Sequence, residues 1–347
     1  MIDIDFESLR NIGLTQAIAS QLYSTDQGPA GAQLVRITQI NRDTAIVHDG
    51  VGESTARAAL RLLDAHSAGL AVGDWVLRDS GGWISARIDP VTQLVRRTED
   101  GRAQALASNV DTALLVMGLD HDFNPRRLER YLALVHAAGV APVVVLTKAD
   151  IGINPAGRLE QLQYRLPAGL PIVAVNALGS EPADVLAPWL ARSQTLILLG
   201  SSGAGKSTLT NALTHARQAT GGVRSDDSRG RHTTTARSLH LCPGGACIID
   251  TPGLRALRLE ADEEQLGAAF DDIEKLAAQC QFRDCAHEAE PGCAVRGAVD
   301  EDRLRNYHKL LREARRNQQT PLERIADRAK WKVLVKSVGA RDRMKRQ

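Results

Sequence analysis

The sequence predicts a multidomain chain in which a small β-barrel is followed by an α/β domain and then by a helical, cysteine-containing segment. Short alternating apolar runs separated by turns fill residues 33–97, and many short strands in little chain are typical of a barrel. Residues 111–260 alternate strand-length and helix-length runs, the pattern of an α/β sheet. We place an N-terminal extension at 1–32, the barrel at 33–98, the α/β domain at 99–260 and the helical domain at 261–347.

The predicted barrel has strands at 34–37 and 44–48 and a hairpin at 75–86, and an oligonucleotide-binding fold is one candidate for it. Trp75 and Trp83 either stack on nucleic-acid bases or fill the barrel core, and the core is the favoured interpretation. Arg87, Arg96 and Arg97 are candidates for phosphate contacts, although scattered surface arginines are common.

Apolar runs predict strands of the α/β sheet at 113–117, 143–146, 172–175, 195–199 and 246–249, and a further strand before the turn at 243–245. Asn124 and Pro125 are typical of the start of a helix, which is predicted over 126–138. Further helices are predicted at 9–22, 181–191, 262–278, 300–317 and 321–338.

A nine-residue stretch after the strand at 195–199 fits G-x-x-x-x-G-K-[ST], the phosphate-binding P-loop. Glycines let the backbone turn its N–H groups toward phosphate oxygens, and the following helix adds a partial positive charge there. Lys206 is expected to reach the β- and γ-phosphates, and the Ser207 hydroxyl to bind Mg²⁺. The predicted contacts are Gly200, Ser201, Ser202, Gly203, Ala204, Gly205, Lys206, Ser207 and Thr208.

Two short motifs at strand ends indicate which nucleotide binds. Asp250-Thr251-Pro252-Gly253 resembles the D-x-x-G switch of GTPases, where Asp250 would hold Mg²⁺ and Gly253 would donate its N–H to the γ-phosphate. Thr147-Lys148-Ala149-Asp150 resembles their N-K-x-D motif, in which Lys148 covers the base and Asp150 accepts from N1–H and the amine of guanine. Adenine would leave that carboxylate unsatisfied, which opposes an ATPase.

Cys280, Cys285, His287 and Cys293 provide four metal ligands within fourteen residues. Three cysteines and one histidine are a common tetrahedral zinc set, so we expect one structural Zn²⁺ per chain. Glu288 and Glu290 compete poorly for zinc beside thiolates. Cys242 and Cys247 flank a Pro-Gly-Gly turn and are interpreted as buried small residues.

The motif order is circularly permuted. In ordinary GTPases the P-loop comes first, whereas here Thr147–Asp150 and the base loop at Asn176 and Ala177 precede it. A sheet tolerates such a permutation when the original chain ends lie close together. The new ends would fall near Asn109 and Leu257, beside the second switch.

With these motifs the chain resembles the circularly permuted GTPases of small ribosomal subunit biogenesis, the RsgA (YjeQ/YloQ) family, over about residues 33–330. Further support comes from Asn109-Val110-Asp111, Arg130-Tyr131-Leu132 and Gly230-Arg231-His232-Thr233-Thr234-Thr235. The resemblance implies an N-terminal oligonucleotide-binding barrel, a permuted GTPase and a C-terminal zinc domain. It also implies slow GTP hydrolysis to GDP and phosphate, stimulated by the small subunit.

Three features depart from the family pattern. Thr147 replaces the usual Asn of the guanine motif, so the expected contact to guanine N7 is either weaker or water-mediated. Asn176 stands where a Ser is common, and the N-terminus lacks a long basic tail.

Leu254 follows Gly253 where Ras-type enzymes have the Gln that orients water.

His232 is the candidate to replace that Gln, because an imidazole can orient water or exchange a proton near neutral pH. The alternatives for His232 are a plain loop residue or a contact to rRNA. Thr234 is the predicted Mg²⁺ ligand of switch I, with Thr233 as its alternative.

The net charge of +2 conceals an asymmetry, since residues 301–347 contain 15 Lys/Arg and 6 Asp/Glu. This segment is expected to meet the 16S rRNA of the small subunit, although acidic residues interleave its early part as on a solvated helix. The competing hypothesis is a GTP-binding, RNA-binding scaffold with negligible turnover.

The chain has no apolar run of the ~18 residues that a membrane span needs, and its acidic start lacks a signal-peptide pattern. We therefore expect a cytoplasmic monomer without a membrane partner.

Overall fold

The computed structural model describes residues 4–22, 31–41, 43–58, 68–98, 102–214, 237–251 and 263–318. Within them lie a closed N-terminal β-barrel, a six-stranded sheet flanked by helices, and a C-terminal helical part that contains the four Cys/His residues. None of the helices in these ranges is both long and apolar enough to span a bilayer.

Five strands form the barrel: β1 (Gln33–Ile40), β2 (Thr44–His48), β3 (Glu53–Ala58), β4 (Trp75–Arg78) and β5 (Trp83–Arg87). Their order is β1-β2-β3-β5-β4, and β4 pairs back with β1 to close the barrel. All neighbours are antiparallel except β3 and β5. Alternate residues point inward, as the period of a strand requires, so Val35, Ile37 and Val47 pack together inside.

The outer face of the barrel is covered by the N-terminal helices α1 (Phe6–Arg10) and α2 (Gln16–Leu22). The single helix predicted over 9–22 is wrong, because the chain turns between the two at Gly13, whose φ is +89°. Trp75 is fully buried, as a core residue should be, but it packs beneath these helices on the outer face of the barrel and not in the barrel interior. Trp83 instead is 43% exposed, and the Arg57 guanidinium lies 5.7 Å from its ring centre.

The predicted phosphate contact of Arg87 is wrong, because its buried guanidinium donates to Asp74 Oδ1 at 2.8 Å. Arg96 donates to Gln104 across an unpredicted two-stranded ribbon. That ribbon consists of β6 (Gln93–Arg97) and β7 (Ala103–Ser108) and leads from the barrel into the α/β sheet.

The α/β sheet contains β8 (Thr112–Gly118), β9 (Ala141–Thr147), β10 (Ile172–Ala174), β11 (Thr195–Leu199), β12 (Ser238–Leu241) and β13 (Cys247–Asp250). The order is β10-β9-β8-β11-β13-β12, and among these six strands only β12 runs antiparallel to its neighbour. On its other side β12 pairs antiparallel with β1 of the barrel, Ser238 opposite Gln39. Every residue of β8, β11 and β13 is buried, as expected of parallel strands covered on both faces.

Four helices cover this sheet: α3 (Pro125–Ala137), α4 (Pro155–Arg165), α5 (Pro182–Leu186) and α6 (Lys206–Thr214). The Asn124 side chain accepts from Arg127 N, which confirms the predicted cap of α3. The helix predicted over 181–191 is shorter than expected, because a 3-10 turn (Ala187–Trp189) that contains Pro188 follows α5.

The C-terminal part contains α7 (Glu263–Ala269), α8 (Asp271–Ala277) and α9 (Glu301–Gln318). The single helix predicted over 262–278 is wrong, because the chain turns at Phe270, which is fully buried with the Arg303 guanidinium 4.7 Å from its ring centre. The helix predicted over 321–338 lies outside the described residues.

Arg36 of β1 connects the barrel to the N-terminal helices and to the α/β sheet. Its fully buried guanidinium donates to Ile12 O at 2.5 Å, Asn109 O at 3.2 Å and Thr195 Oγ1 at 3.0 Å. Thr195 is the first residue of the P-loop strand, so the barrel is attached directly to the strand that leads into the P-loop.

Glu129 of α3 connects the α/β sheet to the C-terminal helices. This fully buried carboxylate accepts from Arg165 Nε at 2.7 Å, Arg303 Nη1 at 2.7 Å and the Asn306 amide. On the same interface Arg130 forms a bidentate pair with Glu313 at 2.7 and 2.8 Å. Such a buried network is costly to break, because each partner left behind is a desolvated charge.

We expect Arg36→Met to lower the free energy of unfolding by about 3 kcal/mol, because the thioether leaves buried acceptors without donors. Urea unfolding measures this change. Arg57→Met is the matched control on the exposed barrel surface, and it should change stability by less than about 0.5 kcal/mol. Equal effects of the two substitutions would contradict the linking role of Arg36.

Candidate functional site

Four chain segments meet where β8, β9, β11 and β13 end, at the carboxyl edge of the parallel sheet. The P-loop follows β11, the guanine motif follows β9, and Asp250 ends β13. Parallel strands deliver their following loops to one edge, where ligands of open α/β sheets usually bind. Residues far apart in sequence are thereby brought together in spite of the permuted order.

The P-loop has the backbone that its glycines predict. Gly203 and Gly205 have φ values of +82° and +92°, a region that L side chains rarely adopt. A Cβ at Gly200 would lie 2.4 Å from Val116 O on the neighbouring strand. The loop therefore needs glycine for both its curvature and its close contact with β8.

Lys206 begins α6 and is buried against the P-loop. Its Nζ donates to Gly200 O at 3.0 Å and to Ser201 O at 2.8 Å. Burial lowers the pKa of Lys206, and Asp250 and Asp122 oppose that shift. The ammonium group is thus held within the loop that would surround the phosphates.

Asp250 and Ser207 lie together, as a magnesium site requires. Ser207 Oγ donates to Asp250 Oδ2 at 3.4 Å, and Asp250 Oδ1 is buried without a hydrogen-bond partner among the described residues. Burial raises the pKa of Asp250, and Lys206 opposes the shift. A buried carboxylate oxygen that lacks a partner beside a hydroxyl fits a hard cation such as Mg²⁺.

The guanine motif contacts the P-loop directly. The fully buried Thr147 Oγ1 donates to Ala204 O at 2.6 Å, so this hydroxyl is engaged by the loop. Lys148 Nζ donates to Gly203 O at 2.8 Å and to Asp120 Oδ2 at 2.6 Å. Asp150 is exposed at the end of the motif.

The base loop follows β10 and is closed by its own side chains. Asn176 Oδ1 accepts from Leu178 N at 3.0 Å, while Asn176 N donates to Glu181 Oε1 at 2.8 Å. Ala177 is buried next to them. Ala149 N donates to Val175 O at 3.4 Å, which places the base loop beside the guanine motif.

Two carboxylates that no sequence motif indicates lie in the loop between β8 and α3. Asp122 Oδ1 accepts from Ser201 Oγ at 2.5 Å, and Asp120 accepts from Lys148 as above. Their position was the available signal, because β8 is the neighbour of the P-loop strand and its following loop must reach the same edge.

Several predicted residues lie outside the part of the chain that the structure describes: His232, Thr233, Thr234 and Gly253. Thr251, the last described residue of the D-T-P-G motif, donates from Oγ1 to Leu198 O at 2.6 Å. This bond ties the start of the second switch to the P-loop strand.

The predicted metal ligands Cys280, Cys285, His287 and Cys293 come together, with all four ligand atoms within 4.8 Å of one another. His287 Nδ1 lies 3.6 Å from Cys280 Sγ and 3.5 Å from Cys293 Sγ. This cluster of three thiols and an imidazole can hold a metal ion.

The loop around the cluster supports its geometry. Ala294 N donates to Cys280 Sγ at 3.4 Å and Arg296 N to Cys293 Sγ at 3.5 Å. Glu290 faces backbone instead of the cluster, since Ala286 N and Glu288 N donate to its carboxylate. Cys242 and Cys247 are buried near β12 and β13, as predicted.

Comparison with known proteins agrees with this arrangement. A model of the RsgA GTPase family matches residues 88–260. The small ribosomal subunit biogenesis GTPase RsgA of Xylella fastidiosa strain M23 is 53% identical over 251 residues, which cover 70% of this chain and 75% of that protein. RsgA 2 of Vibrio vulnificus strain CMCP6 is 44% identical over 292 residues, covering 82% and 83%.

Two solved structures share the fold. YjeQ from Thermotoga maritima has a TM-score of 0.59 at 23% identity, covering 82% of this chain and 98% of its own. YloQ, a circularly permuted GTPase, has a TM-score of 0.55 at 22% identity, covering 85% and 99%. The family model matches residues 88–260, and the two relatives named RsgA are 53% and 44% identical to this chain. The chain therefore belongs to the RsgA GTPase family.

Proposed function

We propose that the chain hydrolyses GTP to GDP and phosphate and acts in biogenesis of the small ribosomal subunit. The observation that supports this most strongly is the contact between its two nucleotide motifs. Lys148 of the guanine motif and Thr147 before it both donate to carbonyls of the P-loop. One nucleotide at this edge would therefore meet a base-reading carboxylate, Asp150, and a phosphate-binding loop.

In this proposal the backbone N–H groups of the loop, residues 200–208, and the start of α6 bind the phosphates, and Lys206 neutralises charge on the β- and γ-phosphates. Lys148, Asp150 and the base loop at Asn176 and Ala177 hold guanine. Ser207, Asp250 and Thr234 are the proposed ligands of Mg²⁺, which when bound would neutralise charge on the phosphate oxygens.

His232 is the proposed residue that orients the attacking water. The position after Gly253 is Leu254, which lacks the amide that Ras-type enzymes use. An imidazole next to the switch-I threonines can accept or orient a proton at neutral pH. Because the amide of the Ras-type Gln is absent, we expect hydrolysis by the isolated protein to be slow.

We expect the small ribosomal subunit to accelerate GTP hydrolysis. The 53% and the 44% identical relative are both named as GTPases of small ribosomal subunit biogenesis. We propose that the barrel, within residues 33–98, and the basic C-terminal domain, 261–347, contact its 16S rRNA. The exposed Trp83 with Arg57 beside its ring offers stacking and charge on the barrel surface. In the sequence, the GTPase domain, residues 99–260, lies between the barrel and the C-terminal domain.

The test is single-turnover GTP hydrolysis by the purified chain alone, with small subunits and with large subunits. We expect acceleration of about 10²–10⁴-fold by small subunits only, because ordering a water-positioning group contributes that much. His232→Ala should retain GTP and subunit binding and lose most of the stimulation.

Each outcome separates the hypotheses. A His232→Ala protein that is stimulated like wild type would contradict the proposed role of His232. If neither subunit stimulates the wild type, the GTP-binding scaffold with negligible turnover is favoured. The missing Gln after Gly253 already supports that alternative.

Asp150→Asn should shift nucleotide preference from guanine toward xanthine, because the new amide can donate to the C2 carbonyl of xanthine. Competition binding of GDP, XDP and ADP measures the shift. Asp89→Asn is a matched control, since Asp89 is an exposed carboxylate of the barrel. Equal binding of ADP and GDP by the wild type would refute selection by Asp150.

We propose zinc as the metal of the Cys/His cluster, because three thiolates and one imidazole suit its borderline softness. Elemental analysis should give one zinc per chain, and Cys285→Ser should lose most of it together with folded C-terminal structure. Cys242→Ser, a buried thiol outside the cluster, should retain the metal. Full zinc occupancy in Cys285→Ser would show that the ligand set is wrong.

A further inference from the structure

The loop between β8 and α3, residues 119–124, directs one carboxylate to each half of the nucleotide site. We propose that Asp120 and Asp122 are positioning residues for GTP, Asp120 through Lys148 of the guanine motif and Asp122 through Ser201 of the P-loop. The inference rests on the proposed function and adds two residues to its site.

Asp120 fixes the far end of the Lys148 side chain. Its Oδ2 accepts from Lys148 Nζ at 2.6 Å, and its Oδ1 accepts from Asp122 N at 3.1 Å. Lys148 has a φ of +60°, so its backbone is held in an uncommon conformation at the other end. With both ends fixed, the four-carbon stem spans from the guanine motif to Gly203 O, between the base side and the phosphate side.

Asp122 fixes the second residue of the P-loop. Its Oδ1 accepts from Ser201 Oγ at 2.5 Å and from Arg127 Nη2 at 2.6 Å, and its Oδ2 accepts from Gly118 N at 3.3 Å. The carbonyl of the same Ser201 accepts from Lys206 Nζ at 2.8 Å. Asp122 therefore orients Ser201, whose carbonyl in turn accepts from the phosphate-binding Lys206.

The residues around Asp120 fix its position in this loop. A Cβ at Gly118 would lie 2.5 Å from Asp120 Oδ1, so the carboxylate can occupy its position only beside glycine. Arg158 Nη1 donates to Asp120 O at 2.7 Å and braces the loop from α4. The Asp120 carboxylate is consequently held in one defined orientation.

The first experiment uses Asp120→Asn, which preserves side-chain size and removes charge. We expect the Kd for GTP and for GDP to rise about tenfold, with a smaller change in kcat, because a charge-assisted bond to Lys148 is weakened. Discrimination between GTP and ITP should not change, since Asp150 reads the exocyclic amine. A general loosening of the site would reduce that discrimination as well.

Double-mutant cycles then identify the partner of each carboxylate. In a Lys148→Met background, Asp120→Asn should have almost no further effect on GDP affinity, whereas Asp122→Asn should retain its full effect. In a Ser201→Ala background, Asp122→Asn should have almost no further effect on GDP affinity, whereas Asp120→Asn should retain its full effect. Asp122→Asn alone should raise the Kd for GDP about tenfold and also lower kcat for GTP, because it acts through the loop that holds Lys206.

Asp89→Asn serves as the matched control and should behave as wild type in both assays. Unchanged GDP affinity in Asp120→Asn, or an effect that persists in full without Lys148, would overturn the assignment of Asp120. A full Asp122 effect in the Ser201→Ala background would overturn that of Asp122. Because GDP binding needs no turnover, the cycles stay decisive even if the wild type proves to hydrolyse no GTP.

Discussion

The pairing of the P-loop strand β11 with β8 on one side and β13 on the other is the contact on which the nucleotide site depends. Asp111 fixes its register, since its Oδ2 accepts from Thr195 N at 2.7 Å while its own N–H donates to Thr195 O at 2.9 Å. A slip by one residue would turn every buried side chain of β11 to the opposite face. It would also separate Ser207 from Asp250 and the P-loop from Thr147, so register and site are specified together.

The buried carboxylate Glu129 sets how the C-terminal helices sit on the GTPase domain. Two arginines and an amide converge on it from α4 and α9, and replacing such a network by apolar residues would often be neutral for stability. Its geometry nevertheless fixes the orientation of α9 on α3. Because α3 follows directly after the loop that carries Asp122, contacts run from α9 through Glu129 and α3 to the loop that binds Ser201.

Local patterns predicted the chemistry of the site better than its surroundings. The P-loop, the guanine motif and the Cys/His set depend on short spacings, and their described residues come together as expected. Asp120 and Asp122 escaped detection, because their contacts arise from the adjacency of β8 and β11, which no local pattern contains. The break at Phe270 and the turn at Gly13 were missed for a similar reason, since apolar periodicity continues across both while tertiary packing bends the chain. Arg36 looked like an ordinary strand residue, and its burial follows only from the meeting of three parts of the chain.

Thr147 shows how the departure from the usual guanine motif can be accommodated. An Asn at this position has both an amide donor and a carbonyl acceptor, whereas a hydroxyl has one proton to donate, and Thr147 gives it to Ala204 O. The link between guanine motif and P-loop is therefore kept, and little remains for the base. In the proposed site, Asp150 is then the residue expected to select guanine, and the stem of Lys148 is the part expected to hold the base. That division makes the orientation of Lys148 more important than in a motif with Asn, and it gives a physical reason for an acidic partner at position 120.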